Sequence, residues 1–309
     1  MNENSTVLIL GANGLVGSAI YRRLNHFNKL LTPSHQELNL LNQNQTSEYF
    51  QRHQPEYVII AAAKVGGIHA NNAFRADFIF ENLSMEVNVI NAAFKQKVRR
   101  LLFLGSSCIY PRHCPQPMKE EHLLTGLLEP TNEPYAIAKI AGVKMVESFK
   151  RQYKLNWTSV MPTNLYGPND NYHPEHSHVI PGLISRLSKA HHNKDQEFKI
   201  WGSGKPMREF LHVDDLADAC ITLMEISGDF PNLINVGSGK EISIGDLAIM
   251  ISEIIQFKGQ LIFDSSKPDG TMQKLLDSSK MITLGWKPKI TLEKGLESVI
   301  SEYLSSTNL

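Results

Sequence analysis

The chain has 309 residues, 31 basic and 31 acidic side chains and a mean hydropathy of −0.22. This length fits one large domain or two modest ones, and a net charge of zero excludes a global field that attracts nucleic acid or anionic membranes. No apolar stretch approaches the roughly 20 residues that cross a bilayer, and the amino terminus lacks a basic signal region. We therefore expect a cytoplasmic globular protein without membrane or nucleic-acid partners.

A strand, a glycine turn and a helix are predicted at the start of the chain. Residues 6–10 form a short apolar run, three glycines follow at Gly-x-x-Gly-x-x-Gly spacing, and residues 18–24 are helical in pattern. Glycines allow close approach of the backbone, and amides at a helix start attract an anion. This turn is expected to bind a dinucleotide pyrophosphate, with a purely structural strand–helix turn as the alternative. The predicted contacts here are Gly11, Asn13, Gly14, Leu15, Val16 and Gly17.

Further short apolar runs alternate with helical segments along the chain. The runs cover residues 30–31, 57–63, 101–104, 158–161 and 233–236, and the longest helical segments cover 78–95 and 135–153. Buried runs separated by helices predict an α/β fold with a doubly wound parallel sheet. Such sheets bind ligands beyond the carboxyl ends of their strands. Unusual stretches stand at these ends, at residues 61–67, 105–110 and 162–168.

Tyr135 and Lys139 stand four residues apart in an alanine-rich segment, so a helix places both side chains on one face. A neighbouring ammonium favours the phenolate and is expected to lower the pKa of Tyr135 from about 10. The pair would then be suited to acid/base work at a carbonyl group. The spacing alone also arises by chance.

The sequence after residue 168 is more polar and predicts a second lobe. We expect residues 1–168 and 208–236 to form the cofactor-binding domain, and residues 169–207 and 237–309 to form the substrate lobe. Arg186 and Arg208 are candidates for a diphosphate because a guanidinium group matches phosphate geometry, with a solvated surface charge as the alternative for either one. The cysteines fit neither a disulfide framework nor a metal motif.

The glycine turn, Ser106 and the Tyr135/Lys139 pair occur in the order found in extended short-chain dehydrogenase/reductases acting on nucleotide sugars. Within that family the chain resembles the GDP-L-fucose synthases, which are 3,5-epimerase/4-reductases. Blocks that carry the resemblance span residues 61–72, 102–111, 129–139, 160–168, 177–181, 201–215 and 267–270. The resemblance implies NADPH as cofactor, GDP-4-keto-6-deoxy-D-mannose as substrate and a homodimer, in which helices 78–95 and 135–153 pack against their symmetry mates.

The resemblance also implies the roles of individual residues. Ser106 and Tyr135 would hold the sugar carbonyl, Lys139 the nicotinamide ribose, and Cys108 and His178 would perform epimerisation. The implied substrate contacts are Arg186, Trp201, Arg208 and Asp269. The implied cofactor contacts beyond the glycine turn are Ala62, Leu104, Gly105, Ser106, Lys139, Pro162, Thr163, Asn164, Leu165 and His178. By position alone, Cys108 is more often a packed core thiol than a base, and a histidine such as His178 in a loop more often has no catalytic role.

Several alternatives are separated by single residues. The similar 4,6-dehydratases carry Thr-Asp-Glu at the positions of Ser106 to Cys108, and those acids are missing here. A simple 4-epimerase would need no base such as Cys108, and an inactive redox sensor of this fold would tend to lack the Tyr135/Lys139 pair. An epimerase/reductase for another GDP-4-keto sugar, of the colitose or heptose kind, stays open.

The choice between NADPH and NADH depends on the residues near the adenosine ribose. Similar NADP-preferring enzymes place arginines in the glycine turn and after the second strand. Here those positions hold Asn13 and the stretch 32–35, with neither an arginine nor a strand-end acid. Ser34 and His35 can still donate hydrogen bonds to a phosphate. We therefore expect a modest preference for NADPH, with NADH usable.

Overall fold

The computed structural model describes residues 1–173, 177–228, 230–266 and 269–307, with the backbone alone at 68 and 69. His176, in the polar stretch after residue 168, lies outside the described residues, as do residues 267 and 268 of the block at 267–270. The elements in chain order are β1 (Thr6–Leu10), α1 (Leu15–Leu24), β2 (Lys29–Leu31), α2 (Gln43–His53), β3 (Tyr57–Ile60), α3 (Ile68–Ala73), α4 (Arg75–Lys95), β4 (Arg100–Leu104), α5 (Glu133–Tyr153), β5 (Asn156–Pro162), β6 (Asn164–Tyr166), α6 (Val179–Asn193), β7 (Glu197–Trp201), β8 (Met207–His212), α7 (Val213–Glu225), β9 (Leu233–Val236), β10 (Glu241–Ser243), α8 (Ile244–Ile255), β11 (Gln260–Asp264), β12 (Gln273–Lys274), α9 (Ser279–Thr283) and α10 (Leu292–Thr307).

The central sheet has six strands in the order β2-β1-β3-β4-β5-β9, and all five neighbouring pairs are parallel. Its inner strands are buried on both faces, which is why their sequences are continuous apolar runs. The predicted doubly wound α/β fold is confirmed. The run predicted at 57–63 is shorter as a strand, because the chain leaves the sheet after Ile60.

Helices cover both faces of this sheet. On one face, α1 and α7 pack together over β1, with Ile20 and Leu216 in the same buried cluster as Ile9. On the other face, α2, α4 and α5 bury residues such as Ile90 and Val143 against β1, β3 and β4. The parallel strand order changes direction around β1, which pairs with β2 on one side and β3 on the other. The crevice at this point is where a doubly wound sheet binds its ligand.

The second part of the molecule has its own core. Helices α6, α8 and α10 bury Leu187, Ile251 and Val299 in one cluster. Strand β8 pairs with β6, β10 and β12, and β7 pairs with β11. The returning segment at 208–236 therefore contains residues of β8, which lies in the smaller sheet, and α7 and β9, which complete the larger one. The residues at which the two domains divide stay a prediction.

Within the described ranges, no helix is long and apolar enough to cross a membrane. The same ranges contain no group of three or more His, Cys, Asp or Glu residues that could hold a metal ion.

The glycine turn depends on close backbone packing, and two of its glycines differ sharply in what they can tolerate. A Cβ on Gly17 would fall inside van der Waals contact with the carbonyl of Gly11, whereas a Cβ on Gly14 would lie at an ordinary 3.5 Å from it. We expect Gly17→Ala to lower the free energy of unfolding by about 1–3 kcal/mol, the usual cost of overpacking. Urea denaturation checks this, with Gly14→Ala as the matched control. Equal stability of the two variants would contradict the packing described here.

Candidate active site

Helix α5 brings Tyr135 and Lys139 to the carboxyl end of the central sheet. It begins at Glu133, with Pro134 in its first turn, and the four-residue spacing places the Lys139 Nζ 5.9 Å from the Tyr135 ring centroid. Lys139 is 1% exposed, and its Nζ donates a hydrogen bond of 3.1 Å to the carbonyl of Leu104 at the end of β4. The predicted pair is therefore together in one buried place.

A buried carboxylate that the sequence did not indicate completes this group. Glu86 on α4 is 2% exposed, and its Oε1 lies 3.3 Å from the Nζ of Lys139. Burial raises the pKa of Glu86 to about 7, although the Lys139 ammonium opposes that rise. The Lys139 ammonium therefore interacts with the Glu86 carboxylate as well as with the Tyr135 phenol.

The pKa of Tyr135 differs from the expectation drawn from its spacing to Lys139. Burial raises it well above 10, and the negative charges of Cys108 and Glu86 raise it further. The expected lowering is wrong because burial of the phenol outweighs the influence of the nearby Lys139 ammonium. Tyr135 therefore enters the site as a protonated phenol, which can donate a proton or a hydrogen bond.

Ser106 and Cys108 follow β4 in a tight turn beside this pair. The Ser106 Oγ accepts a hydrogen bond of 3.4 Å from the backbone N–H of Cys108, at the start of a short 3-10 turn over residues 107–109. Cys108 is 7% exposed, and burial raises the pKa of its thiol. Cys108 also contributes to the raised pKa of Tyr135, as expected for two groups in one site.

Lys274 is the second buried cation of the site, and sequence reasoning missed it. It lies on β12, where it pairs in register with Arg208 of β8. Its ammonium is the largest influence opposing the rise in the pKa of Cys108. Burial in turn lowers the pKa of Lys274. A single lysine in a polar stretch carries no sequence signal, and only the pairing of β12 with β8 brings it close to the thiol.

His178 lies outside the group of buried side chains described above. It precedes α6 as the N-cap residue, and its side chain is exposed. The surrounding protein removes enough water from the imidazole to lower its pKa below 6.5. Within the ranges that the structure describes, its ring forms no hydrogen bond or ion pair. The imidazole is therefore neutral near pH 7 and free to approach a ligand.

The predicted cofactor contacts lie at the carboxyl ends of neighbouring parallel strands. Gly11 has a φ of +86°, and a Cβ there would meet the Ala62 nitrogen after β3 at 2.7 Å. The first amides of α1 have no side-chain cap, so Leu15 and Val16 present N–H groups as an anion site does. This cradle fits a dinucleotide pyrophosphate. The remaining predicted contacts follow β4, β5 and the start of β6: Leu104, Gly105, Pro162, Thr163, Asn164 and Leu165.

The four predicted substrate residues form two contact groups in the smaller part of the molecule. The Arg186 guanidinium lies over the Trp201 ring, 4.6 Å from its centroid. The Asp269 carboxylate accepts hydrogen bonds from the backbone N–H of Ser203 at 2.6 Å and from its Oγ at 2.8 Å. The same carboxylate acts electrostatically on Arg208, whose pKa is lowered by burial. An aromatic ring, two guanidinium groups and a carboxylate held by hydrogen bonds thus lie around the end of β7 and the turn after it.

Comparison with known proteins shows the family to which the chain belongs. The model of the NAD dependent epimerase/dehydratase family matches residues 7–237. The chain belongs to this family. It is 50% identical to GDP-L-fucose synthase 1 of Arabidopsis thaliana, over 99% of this chain and 95% of that protein, and 50% identical to GDP-L-fucose synthase of Escherichia coli, over 97% of each. The predicted resemblance to nucleotide-sugar enzymes of the GDP-L-fucose synthase kind is confirmed.

More distant family members carry other names. GDP-L-colitose synthase of Yersinia pseudotuberculosis is 37% identical over 98% of this chain and 99% of its own. The solved structure of MlghC, a GDP-mannoheptose C4 reductase from Campylobacter jejuni with NADP bound, has a TM-score of 0.90 and 38% identity, covering 98% of this chain and 99% of its own. The two GDP-L-fucose synthases named above thus match this chain at higher identity than these two proteins.

The electrostatic influence of Lys274 on Cys108 is open to a direct chemical test. A thiolate is the reactive form of cysteine, so the Lys274 ammonium should speed alkylation of Cys108. We expect Lys274→Met to slow the reaction of Cys108 with iodoacetamide at pH 8 by about three- to tenfold, since one pKa unit changes the thiolate fraction about tenfold. Mass spectrometry of the labelled peptides measures it, with Cys114 as internal reference and Lys258→Met as control. An unchanged rate at Cys108 would contradict the electrostatic influence of Lys274 on this thiol.

Proposed function

We propose that this protein is a bifunctional epimerase/reductase. It inverts C3 and C5 of GDP-4-keto-6-deoxy-D-mannose and then reduces C4 with NADPH, giving GDP-L-fucose. The observation that carries this proposal is the meeting of the Tyr135/Lys139 pair with the turn of Ser106 and Cys108, since Lys139 donates a hydrogen bond to the Leu104 carbonyl at the end of the strand before that turn. A ketone placed there meets both a group able to take a carbon-bound proton and a group able to protonate its oxygen.

The GDP part of the substrate binds in the smaller part of the molecule. Arg186 and Arg208 match the geometry of a diphosphate, and both guanidinium groups are partly withdrawn from water, which strengthens charge-assisted hydrogen bonds. The exposed ring of Trp201 and the fixed carboxylate of Asp269 offer a stacking surface and an acceptor for the base or ribose. The sugar then points toward α5 and β4.

Epimerisation uses the acidity of carbons next to a ketone. Cys108 removes the protons at C3 and C5 in turn, while Ser106 and Tyr135 donate hydrogen bonds to the developing enolate oxygen. The thiol proton of Cys108 first passes to the neutral His178, and the resulting imidazolium gives a proton to the other face of the carbon, which restores the thiol and the neutral imidazole for the next inversion. Return of the proton from the opposite face inverts the configuration.

Reduction follows in the same site without movement of the sugar ring. When bound, NADPH supplies hydride to C4. Tyr135, held as a phenol by its surroundings, gives its proton to the C4 oxygen, and Lys139 holds the nicotinamide ribose. Because the ketone stays in one place for both steps, the same hydrogen-bond donors stabilise the enolate oxygen and the alkoxide oxygen.

The preference for NADPH over NADH is modest. Ser34 stands where a 2′-phosphate would approach, but its Oγ already accepts a hydrogen bond of 3.3 Å from the backbone N–H of Glu37. The Glu37 carboxylate accepts one of 2.8 Å from the backbone N–H of Ser34. A carboxylate next to that position reduces the attraction for a phosphate, so NADH remains usable.

Variants of Cys108 and Tyr135 should separate the two half-reactions. We expect Cys108→Ser to slow solvent deuterium exchange at C3 and C5 by about 10²-fold or more, because a serine hydroxyl is a far weaker base. Slow reduction of the unepimerised sugar should remain. Tyr135→Phe should instead reduce NADPH oxidation by about 10²- to 10⁴-fold, as for a lost general acid, while exchange at C3 persists. NMR with and without NADPH measures both.

The result at Cys108 decides which group is the base. Exchange of both protons at the wild-type rate in Cys108→Ser would transfer that role to another group such as His178. His178→Gln serves as the companion variant, and it should reduce deuterium incorporation in the inverted configuration.

We also propose a homodimer formed through α4 and α5. Phe80 and Val87 lie seven residues apart on α4 and are 68% and 46% exposed, and Ile137 on α5 is 41% exposed. Apolar side chains on the outer face of helices that already pack on the sheet favour burial by a second copy.

Light scattering tests the dimer. The wild-type protein should have twice the 34.7 kDa mass of one chain, and Phe80→Glu should shift it to the mass of one chain because a buried unpaired carboxylate is costly. Ile249→Glu, on the exposed face of α8, is the matched control and should leave the mass unchanged. A single-chain mass for the wild type at micromolar concentration would rule out the dimer.

A further inference from the structure

Glu86 is a charged side chain at the centre of the site that the chemistry above does not use. It lies on the inner face of α4, 2% exposed, with its Oε1 3.3 Å from the Lys139 Nζ. Apart from this ion pair, neither carboxylate oxygen has a hydrogen-bond partner within the described residues. Space around it is tight, because a Cβ on Gly142 of α5 would lie 2.8 Å from the Glu86 Oε2.

A buried carboxylate of this kind contributes little to the stability of the packing between two helices. Removing an ion from water costs several kcal/mol, and one ion pair with few hydrogen bonds repays that cost incompletely. The pKa of Glu86, raised to about 7, expresses the same imbalance. An apolar side chain of similar size would pack α4 against α5 at least as well. The carboxylate therefore has to be explained by what it does to Lys139.

We propose that Glu86 is a positioning residue for the reduction step, holding the Lys139 ammonium against the end of β4 so that Lys139 can bind the nicotinamide ribose beside Tyr135. This proposal rests on the proposed function. Three contacts restrain Lys139: Glu86 on one side, the Leu104 carbonyl at 3.1 Å, and the Phe103 ring, whose centroid is 4.7 Å from the Nζ. Of these, only Glu86 carries a charge, so it provides the strongest restraint.

Ionisation of Glu86 then governs reduction. Above about pH 7 the ion pair is formed and Lys139 is held, whereas below it the protonated carboxyl group releases that hold. The charged and titratable groups that act with Glu86 are Lys139 and Tyr135 of α5, and β4 contributes the uncharged Phe103. Of the other groups in the site, His178 titrates below 6.5 and the pKa of the Cys108 thiol is raised, so neither accounts for a change near pH 7. Lys274, whose pKa is lowered from 10.5, is distinguished by the variant below.

The test uses Glu86→Gln, which keeps the size of the side chain and removes its charge. In single turnovers with NADPH and GDP-4-keto-6-deoxy-D-mannose, the wild-type rate of NADPH oxidation should rise between pH 6 and pH 8. The variant should be flat over this range, about tenfold slower than wild type at pH 8 and about twofold slower at pH 6. Deuterium exchange at C3 and C5 without NADPH should stay within about twofold. Glu147→Gln, on the outer face of α5, is the matched control and should keep the wild-type profile.

A double variant distinguishes positioning from general damage. If Glu86 acts through Lys139, adding Glu86→Gln to Lys139→Met should change the reduction rate by less than about twofold, since the interaction is already lost. Equal losses of exchange and reduction in Glu86→Gln, with a lower urea midpoint, would indicate a structural role and overturn the proposal. A wild-type rate and pH profile in the variant would also overturn it.

The proposed function can fail separately. If the wild-type protein neither exchanges the protons of this sugar nor oxidises NADPH with it, the proposed function is wrong. Fluorescence titration of NADPH without sugar then decides the positioning role alone. We expect Glu86→Gln to weaken NADPH binding at pH 8 by about threefold or more, because a loosened Lys139 binds the ribose less well. An unchanged Kd would overturn the positioning role in that case.

Discussion

The buried ion pair between Glu86 and Lys139 is the strongest restraint on the lysine of the Tyr135/Lys139 pair. It joins α4 and α5 at the point where both meet the end of β4, and their close approach requires a glycine at 142, because a Cβ there would collide with the Phe103 ring and the Glu86 carboxylate. Lys139 in turn fixes the carbonyl of Leu104. The chain just beyond that carbonyl carries Ser106 and Cys108. The ion pair therefore holds Lys139 at the end of the strand that leads into the turn carrying Ser106 and Cys108.

The electrostatics of the site suit a substrate that develops negative charge. Burial keeps Tyr135 and Cys108 protonated in the free protein, while Lys139 and Lys274 are cations held close to them. An enolate or alkoxide oxygen placed among these groups would meet hydrogen-bond donors and positive charge without reorganisation of the protein. The same cations lower the cost of forming the Cys108 thiolate when a ligand excludes water. In the resting state, protonated acids thus lie next to buried cations that can stabilise a developing negative charge.

Much of the fold could be read from the sequence, and so could the motif residues of the site. The alternation of apolar runs with helices predicts the parallel sheet because strands buried on both faces have no other pattern. Tyr135 and Lys139 are linked by helical spacing, and Ser106 and Cys108 by their place after a strand. Glu86 and Lys274 could not be found this way, because their meaning arises only when α4 packs on α5 and β12 pairs with β8. The pKa of Tyr135 was misjudged because the spacing reveals the neighbouring cation but not the burial of the phenol, which decides the direction of the shift.

The central claim is that one ketone undergoes two inversions and one reduction in a single site. The most direct measurement is NMR of the product formed from GDP-4-keto-6-deoxy-D-mannose in deuterated water, with NADPH carrying protium. Our account predicts GDP-L-fucose with solvent deuterium at C3 and C5 and protium from the cofactor at C4. A reduced product that keeps the original hydrogens and configuration at C3 and C5 would contradict it.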